Sequence, residues 1–320
     1  MGYQMIASVG THALRAGMLA ACFGGATATA EDLSSVAPMG GIVLSNDSDG
    51  FSSVRVRGGA LYSHTNPWRY SGVALQTTRY EQAGYDRDVH GALFIYRDQR
   101  RDNLAGVELE AGVVRVAGKT RPVGDATWRF VPREGTAIDL LASADLIDTP
   151  LALERAIGAV MGAVGAEQQL GERFTVTGMA GLQSFSDGNA RTHLRARLIW
   201  LALPEHGATL QLRARHYNSG KEDVGRAYFN PGSYQQWLGV AAIRKRGEVW
   251  HMSGALGAGR ERSAGSDARP SYLAEVRGER PVFGDGRLVL NAGYYRAAGV
   301  FNTANYAYRQ VGMNVIVPLR

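Results

Sequence analysis

The chain has 320 residues, a formal net charge of +6, 45% hydrophobic and 20% charged residues, and 41 glycines. No apolar stretch reaches the roughly 18 residues that a membrane-spanning helix needs, which excludes a helical membrane protein. Only three of the 35 basic residues are lysines. The arginines are interleaved with apolar residues along the chain, and this argues against a nucleic-acid partner because the charge is not clustered.

The N-terminal segment 1–30 has the pattern of a secretory signal peptide. Small apolar residues fill its second half, and Ala28-Thr29-Ala30 fits the A-x-A cleavage rule. The sole cysteine, Cys22, lies in this segment, in a stretch that also resembles a lipoprotein box. We expect cleavage at the A-x-A site, which leaves residues 31–320 as one domain with a short lead at 31–39.

From about residue 50 onward, apolar and polar residues alternate with a period of two, which predicts β-strands. The alternating runs are longer than the ~5–6 residues usual in globular proteins. Their apolar faces carry scattered Gly and Ala, which would pack a dry core poorly. We therefore predict that the apolar faces meet lipid. The fold expected is an all-β, transmembrane, antiparallel up-and-down β-barrel of about 16 strands in the bacterial outer membrane.

Tight turns and longer connections alternate along the chain, as they do in outer-membrane barrels. The first strand of this scheme is the weak run Gly40–Leu44. Among the longer connections we expect Glu81–His90, Gly118–Asp125 and Tyr217–Ser233. Only Tyr217–Ser233 has the length to fold into the barrel interior, which a general solute porin would use as its constriction.

The segment Thr149–Leu170 fits two structures. Pro150 could begin an amphipathic helix, but the apolar residues of the segment form a poor helical stripe. We expect a strand here, with one helical turn at Leu151–Glu154.

Two neighbouring runs, Arg191–Leu203 and the run after it, place basic residues opposite Leu, Ala and Trp. Their polar faces supply the candidate lumen-lining residues Arg191, His193, Arg195, Arg197, Gln211, Arg213 and Arg215. Cross-strand neighbours lie about 5 Å apart, so these residues form a basic ladder. The ladder could guide an anionic or polyhydroxylated chain. Alternatively, it could be neutralised by Asp139, Asp145 and Glu167 on the inner wall.

The longest loop carries the sequence Tyr228-Phe229-Asn230-Pro231, followed by Tyr234. With the strand after it, the stretch Asp223–Tyr234 resembles the C-terminal barrel domains of bacterial exopolysaccharide exporters. These are the cellulose and poly-N-acetylglucosamine export proteins and the related YaiO-type stand-alone barrels. The resemblance implies polysaccharide secretion through the barrel. Tyr228, Phe229, Asn230 and Tyr234 are then candidate sugar contacts, although they could equally wedge the loop into the barrel mouth.

In those exporters a long helical-repeat scaffold precedes the barrel, whereas only a short segment separates Ala30 from Phe51 here. We do not carry the scaffold role over and expect a separate periplasmic scaffold protein as a partner. The stretch Gln310–Leu319 resembles the insertion signal of outer-membrane barrels, and it predicts recognition by the barrel assembly machinery. Arg320 departs from the aromatic residue that usually ends this signal.

No catalytic motif, cofactor motif or metal-ligand spacing stands out, and the seven histidines lie in no hydrolase pattern. We therefore expect a non-enzymatic pore or conduit that needs no cofactor. The alternatives are a general solute porin, a structural barrel of a secretion complex, and a barrel enzyme acting on lipid or polysaccharide.

Overall fold

The computed structural model describes residues 35–221, 223–282, 286–297 and 306–319. Within these residues the chain forms sixteen strands: β1 Ser35–Asp47, β2 Ser52–Asn66, β3 Arg69–Gln82, β4 Tyr85–Gln99, β5 Gly106–Val116, β6 Lys119–Arg133, β7 Thr136–Leu146, β8 Gly158–Leu170, β9 Phe174–Phe185, β10 Ala190–Leu203, β11 Ala208–Ser219, β12 Ser233–Arg246, β13 His251–Ser263, β14 Arg269–Val282, β15 Gly286–Ala297 and β16 Tyr306–Ile316. Each strand is antiparallel to its sequence neighbours, and β16 pairs with β1, so the sheet closes into a barrel. The predicted fold is therefore confirmed.

The two faces of the sheet differ in polarity. On β10, Leu194 and Leu198 are 54% and 42% exposed on the outside, whereas Arg191 and His193 are buried on the inside. Large exposed apolar side chains recur on nearly every strand of the outer wall. A soluble monomer rarely exposes an apolar patch larger than a few hundred Å². Such a wall is stable against acyl chains, and closure of the sheet removes the unpaired strand edges that lipid does not tolerate.

Two connections are shorter than expected. Glu81–His90 and Gly118–Asp125 are not long loops but contain two-residue turns between fully paired strands. In the second turn, Ala117 and Gly118 have φ angles of 46° and 75°, as a tight hairpin turn requires. The polar residues that suggested loops belong to the strands, where an ion pair of 2.6 Å joins Arg79 of β3 to β4.

The barrel closes between its first and last strands, with Gly40 opposite Val315. β1 begins at Ser35, so it includes residues 35–39 of the expected lead and extends beyond the run Gly40–Leu44. On β16, Val311 is 57% exposed on the outer wall. The expected signal peptide, its cleavage site and Arg320 lie outside the described residues, and assembly through Gln310–Leu319 stays a prediction.

The segment Thr149–Leu170 contains both of the structures considered for it. A short helix, α1 (Pro150–Glu154), precedes β8. The hydroxyl of Thr149 accepts a hydrogen bond from the Ala152 amide and caps the helix, and Pro150 occupies its first turn. No helix among the described residues is both long and apolar enough to cross a membrane.

We predict that Leu198→Arg, on the outer wall near the middle of β10, destabilises the folded barrel by about 2–4 kcal/mol, because it places a charge in the acyl region. The matched control is Ile199→Arg, one residue along on the inner face, which we expect to cost less than half as much. Urea titration of the protein in lipid vesicles, followed by tryptophan fluorescence, measures both values. Equal costs for the two variants would contradict the assignment of the faces.

Candidate transport pathway: the inner wall and the barrel mouth

Four arginines form a compact block on the inner wall of the β10–β11 hairpin. Arg195 lies directly opposite Arg215, and Arg197 directly opposite Arg213, in the antiparallel register. The block arises because alternation turns the leucines of both strands toward lipid, which leaves the arginines facing the lumen. Like charges directly opposite one another in a sheet are destabilising, so this arrangement lowers the stability of the fold.

Charge on another sector of the inner wall is compensated. Arg129 of β6 is buried and lies 3.6 Å from a carboxylate oxygen of Asp139 and 2.9 Å from one of Glu167. Arg57 of β2 also pairs with Glu110 of β5 at 2.6 Å. Two of the acids that could have neutralised the arginine block are therefore engaged by Arg129.

The block itself has few acidic partners. Within the described ranges no carboxylate oxygen lies within 4 Å of Arg195, Arg197 or Arg213. The Nε of Arg213 donates to Gln211 at 3.0 Å, while the Nε of Arg195 is buried without a hydrogen-bond partner. Glu275 of β14 acts on Arg197 and Arg213 electrostatically from beyond ion-pair distance. The arginines of the β10–β11 hairpin therefore outnumber the carboxylates near them on the described inner wall.

The other candidate lumen residues have structural partners. His193 is buried, and its Nε2 lies 2.9 Å from the amide oxygen of Gln183. Gln211 is buried and donates to the hydroxyl of Thr209 at 3.1 Å. The structure thus places all seven candidates on the inner face, with the four arginines of the block side by side on β10 and β11.

Two loops fold over the outer mouth, at the end where barrels carry their longer connections. We call residues 147–157, which contain α1, loop L4, and residues 220–221 and 223–232 loop L6. Buried apolar side chains of the two loops pack together with Phe185 of β9. The Thr149 hydroxyl also donates a hydrogen bond to the Ala227 carbonyl, so it joins L4 to L6 directly.

L4 also reaches the opposite side of the mouth. Leu153 and Ala156 are fully buried in a second apolar cluster, which includes Phe51 beside β2 and Tyr80 of β3. L4 therefore bridges from L6 to the β1–β2 hairpin. The prediction that only Tyr217–Ser233 is long enough to fold inward is therefore wrong. The Thr149-Pro150 cap before Leu151 and Leu153 is the signal that could have identified L4.

Arg191 holds L6 in place from the top of the inner wall. Its Nη2 donates to the carbonyl of Phe229 and to the side-chain oxygen of Asn230, the latter at 3.1 Å. The guanidinium carbon lies 4.9 Å from the ring centroids of both Phe185 and Tyr217. Arg191 is thus a loop anchor, and its stacking on aromatic faces is a cation–π contact.

The candidate sugar contacts split into two pairs. Tyr228 is buried and stacks on Phe185 at 4.9 Å, and Tyr234 is buried and stacks on Tyr217, also at 4.9 Å. In this conformation each of these tyrosines has a ring face covered by protein, as expected if they wedge the loop into the mouth. Phe229 and Asn230 are only partly buried.

A buried carboxyl group lies under L4. The side chain of Asp148 accepts a hydrogen bond of 2.9 Å from the Tyr80 hydroxyl, and its second oxygen is buried without a hydrogen-bond partner. Burial, reinforced by the nearby Asp145 carboxylate and opposed by Arg55, raises the pKa of Asp148 to about 7. The folded arrangement of L4 therefore favours the neutral, protonated form.

We predict that Arg129→Met destabilises the barrel by about 3–5 kcal/mol, because it leaves two carboxylates on the inner wall without their cation. Arg195→Met serves as the control and should change stability by less than about 1 kcal/mol, since it removes a charge from a like-charged cluster. Urea titration measures both. If Arg195→Met lowered the free energy of unfolding more than Arg129→Met does, the assignment of Arg129 to a charge-compensated sector and of Arg195 to a like-charged one would be contradicted.

We also predict that the docking of L4 depends on pH. Asp148 has a raised pKa in the folded loop against about 3.9 when exposed. The docked loop is therefore most stable below about pH 4, and this stability is lost as the pH rises through 7. Trypsin cleavage after Arg155 should be faster at pH 8 than at pH 5, after correction with an unfolded peptide of the same sequence. In Asp148→Asn this difference should vanish, and its persistence would assign the pH dependence to another group.

Comparison with known proteins supports the fold, but it assigns the chain to no sequence family. No protein-family model matches the chain, and no curated protein sequence matches it. A solved structure described as a bacterial polysaccharide outer membrane secretin superposes with a TM-score of 0.65 and 11% identity, over 91% of this chain and 100% of that one.

Two solved porin-type barrels superpose less closely. The outer membrane protein OprD from Pseudomonas aeruginosa has a TM-score of 0.45 and 11% identity over 90% of this chain and 94% of that chain. A loop-deletion mutant of OmpT from Vibrio cholerae has a TM-score of 0.43 and 9% identity over 89% and 99%. At such identities a likeness concerns the fold alone. The closed sheet and its apolar outer wall, with the fold shared by the structure of TM-score 0.65, show that the chain is a β-barrel of the bacterial outer membrane.

Proposed function

We propose that this protein is an outer-membrane conduit for an anionic polysaccharide, with L4 and L6 docked over the mouth in the conformation described. The observation that carries the proposal is the block of Arg195, Arg197, Arg213 and Arg215 on the lumen wall. A conduit of this kind acts through the charge and shape of its wall, and no bond is made or broken.

The chemistry of arginine suits an anionic polymer. A guanidinium group binds carboxylate, phosphate or sulfate oxygens through two parallel hydrogen bonds, and it keeps its charge at any physiological pH. Four such groups on one hairpin offer several equivalent positions to successive sugar units. A passing chain can therefore exchange one contact for the next without being held at a single site.

Two further observations support a polysaccharide as the cargo. The solved structure with a TM-score of 0.65 is described as a polysaccharide outer membrane secretin. The sequence Tyr228-Phe229-Asn230-Pro231 resembles that of exopolysaccharide exporters, and Phe229 and Asn230 are only partly buried at the mouth. Aromatic faces can pack on sugar rings, so Phe229 is a candidate contact once L6 moves. Secretion would also need a periplasmic scaffold partner.

A general porin for small anions is the second candidate. The inward folding of L4 and L6 favours it, since a constriction by loops is what limits solute size in such a pore. The same arginine block would then select anions of a few atoms. The two candidates differ in whether a long anionic chain can enter the lumen.

We predict that the pore is anion-selective. The test uses a variant in which residues 221–231 are replaced by Asn-Gly, so that the lumen conducts freely, in planar bilayers under a KCl gradient. Replacing the four block arginines by Ala should lower the anion-to-cation permeability ratio at least about threefold, because the local anion concentration falls with the wall charge. Replacing four outward-facing arginines, Arg260, Arg262, Arg296 and Arg309, removes the same charge from the protein and should leave the ratio unchanged.

The polymer is tested in the same bilayers. An oligogalacturonate of ten units, added to the periplasmic side, should interrupt the current in events that vanish when the arginine block is removed. A neutral dextrin of the same length should interrupt it far less often. Failure of the charged oligomer to enter, with anion selectivity intact, would favour the small-anion porin.

A further inference from the structure

A cavity of about 290 Å³ opens at the outer mouth, where L4 and L6 meet the barrel wall. Four cationic side chains line it: Lys119 and Arg121 from β6, Arg155 from L4 and Lys221 from L6. Two carboxylates, Asp187 and Asp223, also contribute to the lining. These six side chains sum to a net charge of +2, four positive charges less two negative.

The carboxylates do not neutralise the cations. Asp187 accepts hydrogen bonds from the Asn189 amide at 3.0 Å and from the Tyr228 hydroxyl at 2.9 Å. Asp223 accepts one from the Gly225 amide at 2.7 Å. In the part of the chain that the structure describes, neither lies within ion-pair distance of any of the four cationic groups.

Backbone carbonyls hold two of the cations in position. The Nε of Arg121 donates to the carbonyl of Ala156 in L4 at 2.7 Å, and the ammonium of Lys221 donates to the carbonyl of Asp187 at 2.7 Å. Such contacts orient a cationic group but leave its charge intact. The remaining hydrogen-bond donors of Arg121 and Lys221 are therefore available to an anion in the cavity.

Two glycines make room for the cations. A Cβ atom at Gly225, where φ is +59°, would lie 3.0 Å from an Arg155 guanidinium nitrogen, and one at Gly188, where φ is +84°, would lie 3.2 Å from the Lys221 ammonium. Both positions have a left-handed backbone that favours glycine. The loops thus bring Arg155 and Lys221 against bare backbone at the cavity.

We propose that this cavity binds a sugar acid, a single pyranose unit that carries a carboxylate. Arg121, Arg155 and Lys221 hold the carboxylate, and Asp187 and Asp223 accept hydrogen bonds from the ring hydroxyls, which accounts for two acidic residues in a basic site. Ile157 and Val224 supply apolar lining for the C–H face of the ring. The volume lies at the lower end of ligand sites, about 300–1,000 Å³, and suits one unit better than a chain segment.

The occupied site would strengthen the docking of the loops. Its cations come from three elements, the wall strand β6, L4 and L6, so one bound carboxylate joins all three. A ligand that binds the docked arrangement better than the undocked one shifts the population toward it. This inference holds whether or not the lumen conducts, because the site lies at the mouth and is separate from the arginine block.

The test is saturation-transfer NMR on the full protein in a zwitterionic, sugar-free detergent, with galacturonate as the probe. We expect binding of galacturonate, a signal at least tenfold weaker for galactose, and weakening of galacturonate binding as NaCl rises from 50 to 200 mM, because exposed ion pairs are screened. Arg155→Ala with Lys221→Ala should weaken binding at least tenfold.

Two controls separate this site from the rest of the protein. Arg260→Ala with Arg262→Ala removes two cations from the outer wall and should leave binding unchanged. Replacement of the four block arginines by Ala removes the carboxylate contacts proposed for the transport path. In this background galacturonate should still bind, and adding Arg155→Ala with Lys221→Ala should reduce the signal at least tenfold. Equal signals from galactose, no signal from galacturonate, or full binding in a folded variant that lacks Arg155, Lys221 and the four block arginines would overturn the proposal.

Discussion

The structure depends on one constraint, that no backbone amide or carbonyl in the acyl region lacks a hydrogen-bond partner. Pairing of β1 with β16 satisfies this constraint by removing both edges of the sheet. Closure then forces every strand to show one face to lipid and the other to the lumen. On β10 this closure places the leucines against lipid and the arginines in the lumen.

Charge inside the barrel is distributed by sector. Around Arg129, carboxylates from two strands compensate a buried guanidinium, so that removal of one partner would leave a buried charge uncompensated. At the β10–β11 hairpin, arginines face arginines. A wall built only for stability would not place like charges in register, so we interpret the block as serving what passes or binds in the lumen. A similar arrangement occurs at the mouth. There Asp187 and Asp223 accept hydrogen bonds from other groups, and in the described structure they lie outside ion-pair distance of Arg121 and Lys221.

The two loops at the mouth are held in place by several individually weak interactions. L4 and L6 dock through apolar contacts, a few hydrogen bonds, the stacking of Arg191 on aromatic rings, and the protonated form of Asp148. No covalent bond is needed for this docking. Proton uptake at Asp148 and an anion bound between the loops would both favour the docked state, and each acts on the same equilibrium. The conformation of the mouth is therefore the feature of this barrel that would respond most readily to a change in external pH or anion concentration.

The sequence by itself determined the class of fold, the face that each residue of β10 and β11 presents, and the seven inward candidates, because a period of two in the side chains survives in any antiparallel barrel. Only the tertiary structure decided which of those seven side chains are held by contacts with a loop or with the neighbouring wall. Arg129 pairs with Asp139 on β7 and with Glu167 on β8, the latter 38 residues away, and Arg191 donates a hydrogen bond to Phe229 of L6, also 38 residues away. The predicted lengths of Glu81–His90 and Gly118–Asp125 were wrong for a local reason. The polar ends of strands that extend above the membrane have the amino-acid composition of loops. The contact of L4 with L6 could not be foreseen, because it depends on how four intervening strands curve around the mouth.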